Sequence, residues 1–218
     1  MAKGHKRHSF KKGKHFGKRG KGQTKTKTKE WEEKFNQFQE FLKSKGLYMR
    51  DVEGDGNCLF RAISDQMIGD ESMHEQYRLM AVDYIKSRKE YFAMFLQEGE
   101  NIDDHITAMS KDGVWGGDFE LVALSEVLGV KFCIHTKDQT PFIVKSSEKK
   151  KFSRVVHLAY HVGEHYSSVR MLGDDKKEPA MEIQMKLPDD SDEDEIVTEE
   201  SILKIRSFFL SSNNQFTT

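Results

Sequence analysis

The sequence is poor in the residues from which disulfide-rich proteins and membrane proteins are built. Its two cysteines, Cys58 and Cys133, are too few for a disulfide framework or a four-cysteine zinc site. No apolar run approaches the roughly 18 residues of a membrane span, and the Lys-rich N-terminus lacks the apolar core of a secretory signal. We therefore expect an intracellular protein without membrane contact, located in the cytoplasm, with a nuclear location left open.

Proline is also scarce, and most of it lies in a strongly charged segment. Two of the three prolines lie in an acidic stretch, residues 174–200, which has 12 Asp and Glu against three Lys. Residues 1–30 are the opposite, with 12 Lys and Arg against one acid, Glu30. Segments of one charge sign with few apolar residues cannot bury enough surface to offset chain entropy. We predict a basic disordered arm over residues 1–29 and an acidic linker over 173–197.

Both ends of the chain could contact partners. The clustered Lys and Arg of residues 1–29 could bind RNA phosphates, including those of a ribosome, or serve as a nuclear address. Only Phe10 and Phe16 are available there for base stacking, so a solubilising or localising tail is the favoured interpretation. Residues 198–218 carry enough apolar side chains for a short amphipathic helix. Whether it docks on the domain or on a partner is left open.

The region between these segments has the patterns of one domain. A helix is predicted over residues 30–46. Within 47–172, helical patterns come first: Ser72 and Glu75 form a capping-box pattern that predicts a long helix running toward Gln97. Toward the C-terminal end of the domain the apolar period changes to two, which predicts strands. Helices followed by strands favour an α+β domain whose small mixed or antiparallel sheet is flanked by helices.

Cys58 has the sequence context of a reactive cysteine. It follows a glycine-containing turn and opens an apolar run with helical period, so it is predicted at the first turn of a helix. A helix N-terminus favours negative charge and therefore the thiolate form of a cysteine. The same loop exposes backbone N–H groups that could stabilise an oxyanion. Cys133 lies in an apolar strand pattern without such a context, and we predict that it is a core residue.

A nucleophilic cysteine needs a base, and the sequence offers several histidines. His157, His161 and His165 are four residues apart, which on a helix would suggest a metal site. The surrounding pattern favours a strand, where four residues span about 13 Å, too far for shared ligation. We therefore expect no metal at these histidines. The pattern alone does not choose the base among the three.

Three segments together resemble a known family. They are D-V-E-G-D-G-N-C-L-F-R-A at 51–62, W-G-G-D-F-E-L at 115–121 and G-E-H-Y-S-S-V-R at 163–170. In this order they resemble the nucleophile, central and histidine motifs of the OTU (ovarian tumour) cysteine proteases, which are deubiquitinases with a papain-like α+β fold. The basic arm and the helix before the first motif are similar to the OTUD subgroup. The resemblance implies that residues 47–172 are an OTU catalytic domain.

The resemblance also implies roles for individual residues. Cys58 would be the nucleophile and His165 the general base that takes its proton. Asp55 matches the aspartate of the family motif, either within the catalytic group or as a helix N-cap that supports the loop, and loop support is slightly favoured. Gly56 and Asn57 would form the oxyanion loop. No cofactor and no metal are implied.

The histidine motif departs from the family pattern at one position. Many relatives place Asp or Asn two residues after the histidine, where it orients the imidazole, and this chain has Ser167 there. A serine hydroxyl can accept one hydrogen bond but carries no charge. Ser167 is therefore a candidate orienting residue, unless another acid reaches His165 from elsewhere in the fold. The departure bears on the level of activity more than on the assignment.

The tail of ubiquitin is rich in arginine and ends in Gly-Gly, so its channel should be narrow and acidic. Gly116 and Gly117 could permit close backbone approach, and Glu120 or Glu164 could pair with the tail arginines. Asp118 is also a candidate for such a pair, with helix capping an equally good interpretation.

The function implied by the resemblance is thiol-dependent hydrolysis of isopeptide bonds between the C-terminal glycine of ubiquitin and lysines. The expected partners are ubiquitin, polyubiquitin chains and ubiquitinated proteins, and we expect a monomer. One alternative is a catalytically weak OTU-fold module that binds ubiquitin or another partner. The other is an RNA- or ribosome-associated protein that acts through residues 1–29.

Overall fold

The computed structural model describes residues 29–137, 139–145, 151–161, 165–175 and 177–185. Residues 1–28 of the predicted basic arm, the second half of the predicted acidic linker and the helix predicted over 198–218 lie outside this range. Within the described ranges, no helix is long and apolar enough to cross a membrane.

The described residues form helices and one mixed sheet, which confirms the expected α+β class. The helices are α1 Lys29–Lys43, α2 Cys58–Ile68, α3 His74–Ser87, α4 Lys89–Ala93, α5 Ile102–Met109 and α6 Asp118–Leu128. The strands are β1 Leu47–Arg50, β2 Val130–His135, β3 Phe142–Val144, β4 Arg154–His161 and β5 His165–Met171. Their order in the sheet is β1-β5-β4-β2-β3, and the β2–β4 pair is parallel while the other pairs are antiparallel.

The sheet lies between two apolar layers because alternate strand residues point to opposite faces. On one face, Leu158 and Tyr160 of β4 join the larger core, to which α2, α3 and α6 contribute. On the other face, Ala159 packs in a smaller cluster with Phe38 and Leu42 of α1. Helix α1 thus covers the face of β4 that also carries His157 and His161.

The long helix predicted from Ser72 toward Gln97 is wrong in two respects. The chain forms two helices, α3 and α4, which meet at Arg88, and α3 begins after Met73 without a side-chain cap. The break turns Phe92 into the core, where its ring contacts those of Tyr84 and Phe119 at centroid distances of 6.2 and 5.3 Å. Burial of this aromatic side chain outweighs the local preference for one continuous helix.

The beginning of the predicted acidic linker packs on the domain. The carboxylate of Asp174 pairs with the fully buried guanidinium of Arg170, which also donates to Asp65. Ala180 is buried and hydrogen-bonds through its N–H to the carbonyl of Gln66 at 2.9 Å. The folded part of the chain therefore continues beyond the end of β5 on the C-terminal side.

Candidate active site

Cys58 is the first residue of α2 and lies at the positive end of the helix dipole. Its side chain is buried, and the loop of residues 51–57 leads into it from the end of β1. The apolar side chains that follow Cys58, including Leu59, Phe60 and Ile63, are in the core and hold this helix against the sheet. The helix therefore presents the sulfur at a fixed place, next to the N–H groups of its first turn.

Asp55 braces the loop before Cys58. Its carboxylate accepts hydrogen bonds from the Asn57 N–H at 2.9 Å, from Asn57 Nδ2 at 2.8 Å and from Arg61 Nη2 at 2.6 Å. Burial alone would raise the pKa of Asp55, but the hydrogen bonds from Arg61 and Asn57 lower it to about 2. Because its pKa is depressed, Asp55 stabilises the fold above its ordinary pKa of 3.8, and this contribution is lost as the pH falls through about 2.

Two details of this loop differ from the sequence-based expectations. The residue at the N-cap of α2 is Asn57, so the N-cap role considered for Asp55 is wrong, and Asp55 instead supports the loop. The N–H of Asn57, expected among the oxyanion donors, points to the Asp55 carboxylate. The N–H of Cys58, in the first turn of α2, belongs to the group of helix donors that have no partner within the helix.

Arg78 anchors the same loop from the opposite side. The guanidinium, in a residue only 2% exposed, donates from Nη2 to Asn57 Oδ1 at 2.6 Å and to the Val114 carbonyl at 2.7 Å. It also lies 4.3 Å from the centroid of the Phe60 ring. Sequence reasoning missed this residue, although one signal existed: Arg78 occupies the same face of α3 as the buried Val82 and Ile85.

Gly56 lets two backbone segments meet at the site. Its φ is +90°, and a Cβ atom placed on it would lie 2.0 Å from the carbonyl oxygen of Gly113. Only glycine fits both the left-handed backbone and the close approach. The amide oxygen of Asn57 also accepts a hydrogen bond from the Gly113 N–H at 3.1 Å, so the two loops are locked together.

His165 is the first residue of β5 and faces Cys58. Its Nε2 lies 3.0 Å from Asp51 Oδ1. Burial alone would lower its pKa, but hydrogen bonds with Asp51 and Cys58 outweigh this effect and raise the pKa of His165 from 6.5 to about 9. Because Asp51 engages Nε2, Nδ1 is the ring nitrogen left to exchange a proton with the thiol.

Asp51 is a second residue that sequence reasoning missed. It follows β1 and meets His165 across 114 residues of chain, so no local pattern pairs the two. Ser167, the candidate orienting residue, contacts Asp51 instead of His165. Its hydroxyl donates to Asp51 Oδ1 at 3.5 Å and is 2.9 Å from His161 Nε2. The carboxylate beside the imidazole therefore comes from the nucleophile segment rather than from the histidine motif. The only signal was an acid at the start of that segment.

His157, His161 and His165 were expected to lie too far apart to bind one metal ion, and this expectation is wrong for one pair. His161 and His165 do not lie on one continuous strand, because β4 and β5 are antiparallel and pair these two residues directly. Their ring centroids are 5.2 Å apart. Donor atoms of Asp51, His161 and His165 all lie within 4.8 Å of one another, so a metal ion could be placed among them. In this structure these donors are engaged in the Asp51–His165 and His161–Ser167 hydrogen bonds.

A second group of metal-ligand residue types lies on β2 and β4. His135 Nε2 is 2.9 Å from His157 Nδ1 and 3.6 Å from the sulfur of Cys133. Burial lowers the pKa of His135 to about 4 and that of His157 to about 3, and raises the pKa of the Cys133 thiol to about 12. All three are therefore neutral at physiological pH, and His135 is hydrogen-bonded to each of the other two. Cys133 is fully buried, as predicted for a core residue.

The residues proposed for the ubiquitin tail have different surroundings. A Cβ on Gly116 would lie 2.9 Å from both Leu59 and Phe60, whereas one on Gly117 would meet nothing within 4 Å. Glu120 is 1% exposed, and its carboxylate is hydrogen-bonded to His105 Nε2 and to the Gly117 N–H. Its expected role as a partner for tail arginines is therefore wrong, because the carboxylate is buried. Glu164 lies outside the described residues.

Replacing Gly56 with alanine should destabilise the fold. We expect a loss above the roughly 1–2 kcal/mol of left-handed backbone strain, because the Gly113 carbonyl must also move. Gly99→Ala is the control, since Gly99 has a φ of +87° and open space around it. Urea unfolding of both variants measures the difference, and equal losses would contradict the close approach as the cause.

Replacing Asp51 with asparagine should lower the pKa of His165 from about 9. The neutral amide cannot stabilise the imidazolium, and kcat/KM should fall by up to about 10⁴, the loss caused by the same change in a serine protease triad. In the wild type, protonated His165 stabilises the fold because its pKa is raised. This contribution is fully present below pH 6.5 and is lost as the pH rises through about 9. The variant should lose this dependence.

NMR titration of the His165 ring is the measurement for this prediction. Glu53→Gln, which removes one exposed charge from the same loop, serves as the control and should leave the His165 pKa near 9. An Asp51→Asn variant that titrates like the wild type would show that Asp51 does not set the basicity of His165.

Comparison with known proteins agrees with this geometry. A family model of OTU-like cysteine proteases matches residues 53–166. "OVARIAN TUMOR DOMAIN-containing deubiquitinating enzyme 7" of Arabidopsis thaliana is 41% identical over 135 residues, 62% of this chain and 36% of that protein. "OTU domain-containing protein 3" of Mus musculus is 36% identical over 149 residues, 68% of this chain and 37% of that protein.

A solved OTUD1 OTU domain has the same fold, with a TM-score of 0.55 at 26% identity, covering 62% of this chain and 92% of that one. The chain spans little more than a third of the length of the two curated relatives. The matched segment contains both Cys58 and His165, and it leaves out Asp51 and α1. Because the family model covers more than half of the sequence and includes both residues of the thiol–imidazole pair, this chain belongs to the OTU-like cysteine proteases.

Proposed function

We propose that this protein is a deubiquitinase that hydrolyses isopeptide bonds between the C-terminal glycine of ubiquitin and lysines. The observation that carries the proposal is the pairing of Cys58, at the head of α2, with a histidine held by the Asp51 carboxylate. The name of the Arabidopsis relative points to the same activity. Ubiquitin, polyubiquitin chains and ubiquitinated proteins are the proposed partners.

In the proposed reaction, His165 takes the proton of the Cys58 thiol, and the thiolate attacks the carbonyl carbon of the ubiquitin glycine. The resulting oxyanion lies near the N-terminus of α2, whose N–H dipoles stabilise its negative charge. The imidazolium of His165 returns its proton to the leaving lysine amine, which leaves a thioester on Cys58. His165 then takes a proton from water, the hydroxide attacks the thioester, and the thiolate and ubiquitin carboxylate are released.

The raised pKa of His165 supports this cycle. A basic imidazole favours transfer of the thiol proton to His165. Asp51 contributes to this basicity through a hydrogen bond and its negative charge. Asp51 supplies the charged partner of His165 that Ser167 cannot supply. The serine in the histidine motif is therefore compatible with catalysis and does not favour the binding-module alternative.

The proposed activity is tested with ubiquitin that carries a C-terminal thiol-reactive group. We expect one covalent adduct per chain on Cys58, loss of the adduct in Cys58→Ala and slower formation in His165→Ala. Cys133→Ala removes the other cysteine, which is fully buried, and should leave the adduct intact. The readout is the mass shift of the intact protein. A folded wild type without adduct would contradict the proposal and favour the binding module.

Contact between residues 1–29 and RNA or ribosomes stays a separate prediction, based on the charge of this segment. Retention on RNA should weaken steeply between low and physiological salt and disappear when residues 1–29 are deleted. Deleting the acidic residues 189–195 serves as the control for loss of a charged segment. Retention that survives deletion of the arm would rule out this segment as the binding site.

A further inference from the structure

His161 lies directly behind the proposed catalytic histidine. It is the last residue of β4 and pairs in register with His165, the first residue of β5. The two rings meet edge to face, with centroids 5.2 Å apart and planes at 76°. His161 is 6% exposed, so it belongs to the interior of the domain rather than to the surface of the site.

A chain of hydrogen bonds leads from His161 to the carboxylate that holds His165. His161 Nε2 is 2.9 Å from the hydroxyl oxygen of Ser167, which is completely buried. The Ser167 hydroxyl donates to Asp51 Oδ1 at 3.5 Å, and the same oxygen accepts from His165 Nε2 at 3.0 Å. Since the Ser167 hydroxyl donates to Asp51, its oxygen is available to accept from His161. Two donors thus converge on one oxygen of Asp51.

Aromatic side chains of α1 enclose the His161 ring. The ring centroids of Trp31, Phe35 and Phe38 lie 5.8, 5.4 and 6.4 Å from that of His161, all in edge-to-face arrangements. Trp31 and Phe35 also stack on each other at 4.9 Å. These rings pack around the imidazole, whose Nε2 faces Ser167. Helix α1 lies before the segment that the family model covers.

We propose that His161, held by the aromatic residues of α1, is a positioning residue for catalysis. Through Ser167 it fixes the carboxylate of Asp51, and through Asp51 it fixes the ring of His165. Helix α1 is thereby part of the apparatus that aligns the thiol–imidazole pair, and this role rests on the proposed isopeptidase activity. The buried serine of the histidine motif acts as the link between the two histidines.

The first test separates the hydrogen bond of His161 from its packing. His161→Phe keeps an aromatic ring beside α1 but removes the N–H, so kcat on ubiquitin with a C-terminal fluorogenic amide should fall roughly 10- to 100-fold, with KM unchanged. His161→Gln restores a side-chain N–H donor and should recover most of this loss. If both variants, with wild-type melting temperatures, turn over like the wild type, the proposal is overturned.

The second test addresses α1 with a matched pair on one helix. Trp31→Ala removes a contact with His161 and should lower kcat, whereas Phe41→Ala removes an α1 ring that packs beside Phe38 and should not. Equal effects of the two variants on kcat would indicate that α1 acts only through stability. In the first test, Ser167→Ala takes the place of His161→Phe if that variant does not fold, because it removes only one buried hydroxyl.

A third readout needs no ubiquitin and so separates failure of this inference from failure of the proposed function. Titratable groups face His165 from three sides: Asp51 after β1, Cys58 on α2 and His161 on β4. The rate at which iodoacetamide alkylates Cys58 at pH 7, followed by mass spectrometry of its peptide, reports the thiolate. This rate should fall in His161→Phe and recover in His161→Gln. A wild type that alkylates rapidly but does not cleave ubiquitin contradicts only the proposed function.

Discussion

The hydrogen bond between Asp51 and His165 is the contact on which the site depends. It joins the end of β1 to the start of β5, two adjacent strands whose residues are far apart in the chain. The bond holds the imidazole, and together with the hydrogen bond to Cys58 it outweighs the effect of burial, so that the pKa of His165 rises to about 9. Without it, burial would favour a neutral histidine of low basicity beside the thiol.

The loop that carries Cys58 is held by an arginine side chain on each side. Arg61 pairs with Asp55 on one side, while the buried Arg78 binds the Asn57 amide and two neighbouring carbonyls on the other. Both terminal nitrogens of Arg78 have hydrogen-bond partners, which offset part of the desolvation that such burial costs. The glycine at position 56 permits this arrangement because no side chain fits against the Gly113 backbone. The nucleophile is therefore presented by a rigid loop and a rigid helix.

Sequence reasoning succeeded where local pattern determines structure. The turn before Cys58, the helix that it begins and the later change to strand periodicity could all be predicted, because a helix and a strand bury different sets of side chains. It failed where tertiary packing overrides local preference. The helix expected toward Gln97 breaks so that Phe92 enters the core, and Glu120 turns inward to His105 although its position suggested an exposed acid.

The sequence by itself determined the α+β class, the family, and the identity of the cysteine and histidine that face each other. These depend on short motifs and on periodicity, which are local properties of the chain. Only the tertiary structure decided what orients His165, because Asp51, Ser167 and His161 meet through strand pairing rather than through spacing in the sequence. Hydrogen bonds act over about 3 Å, and only the folded sheet brings residues from these distant segments to that distance.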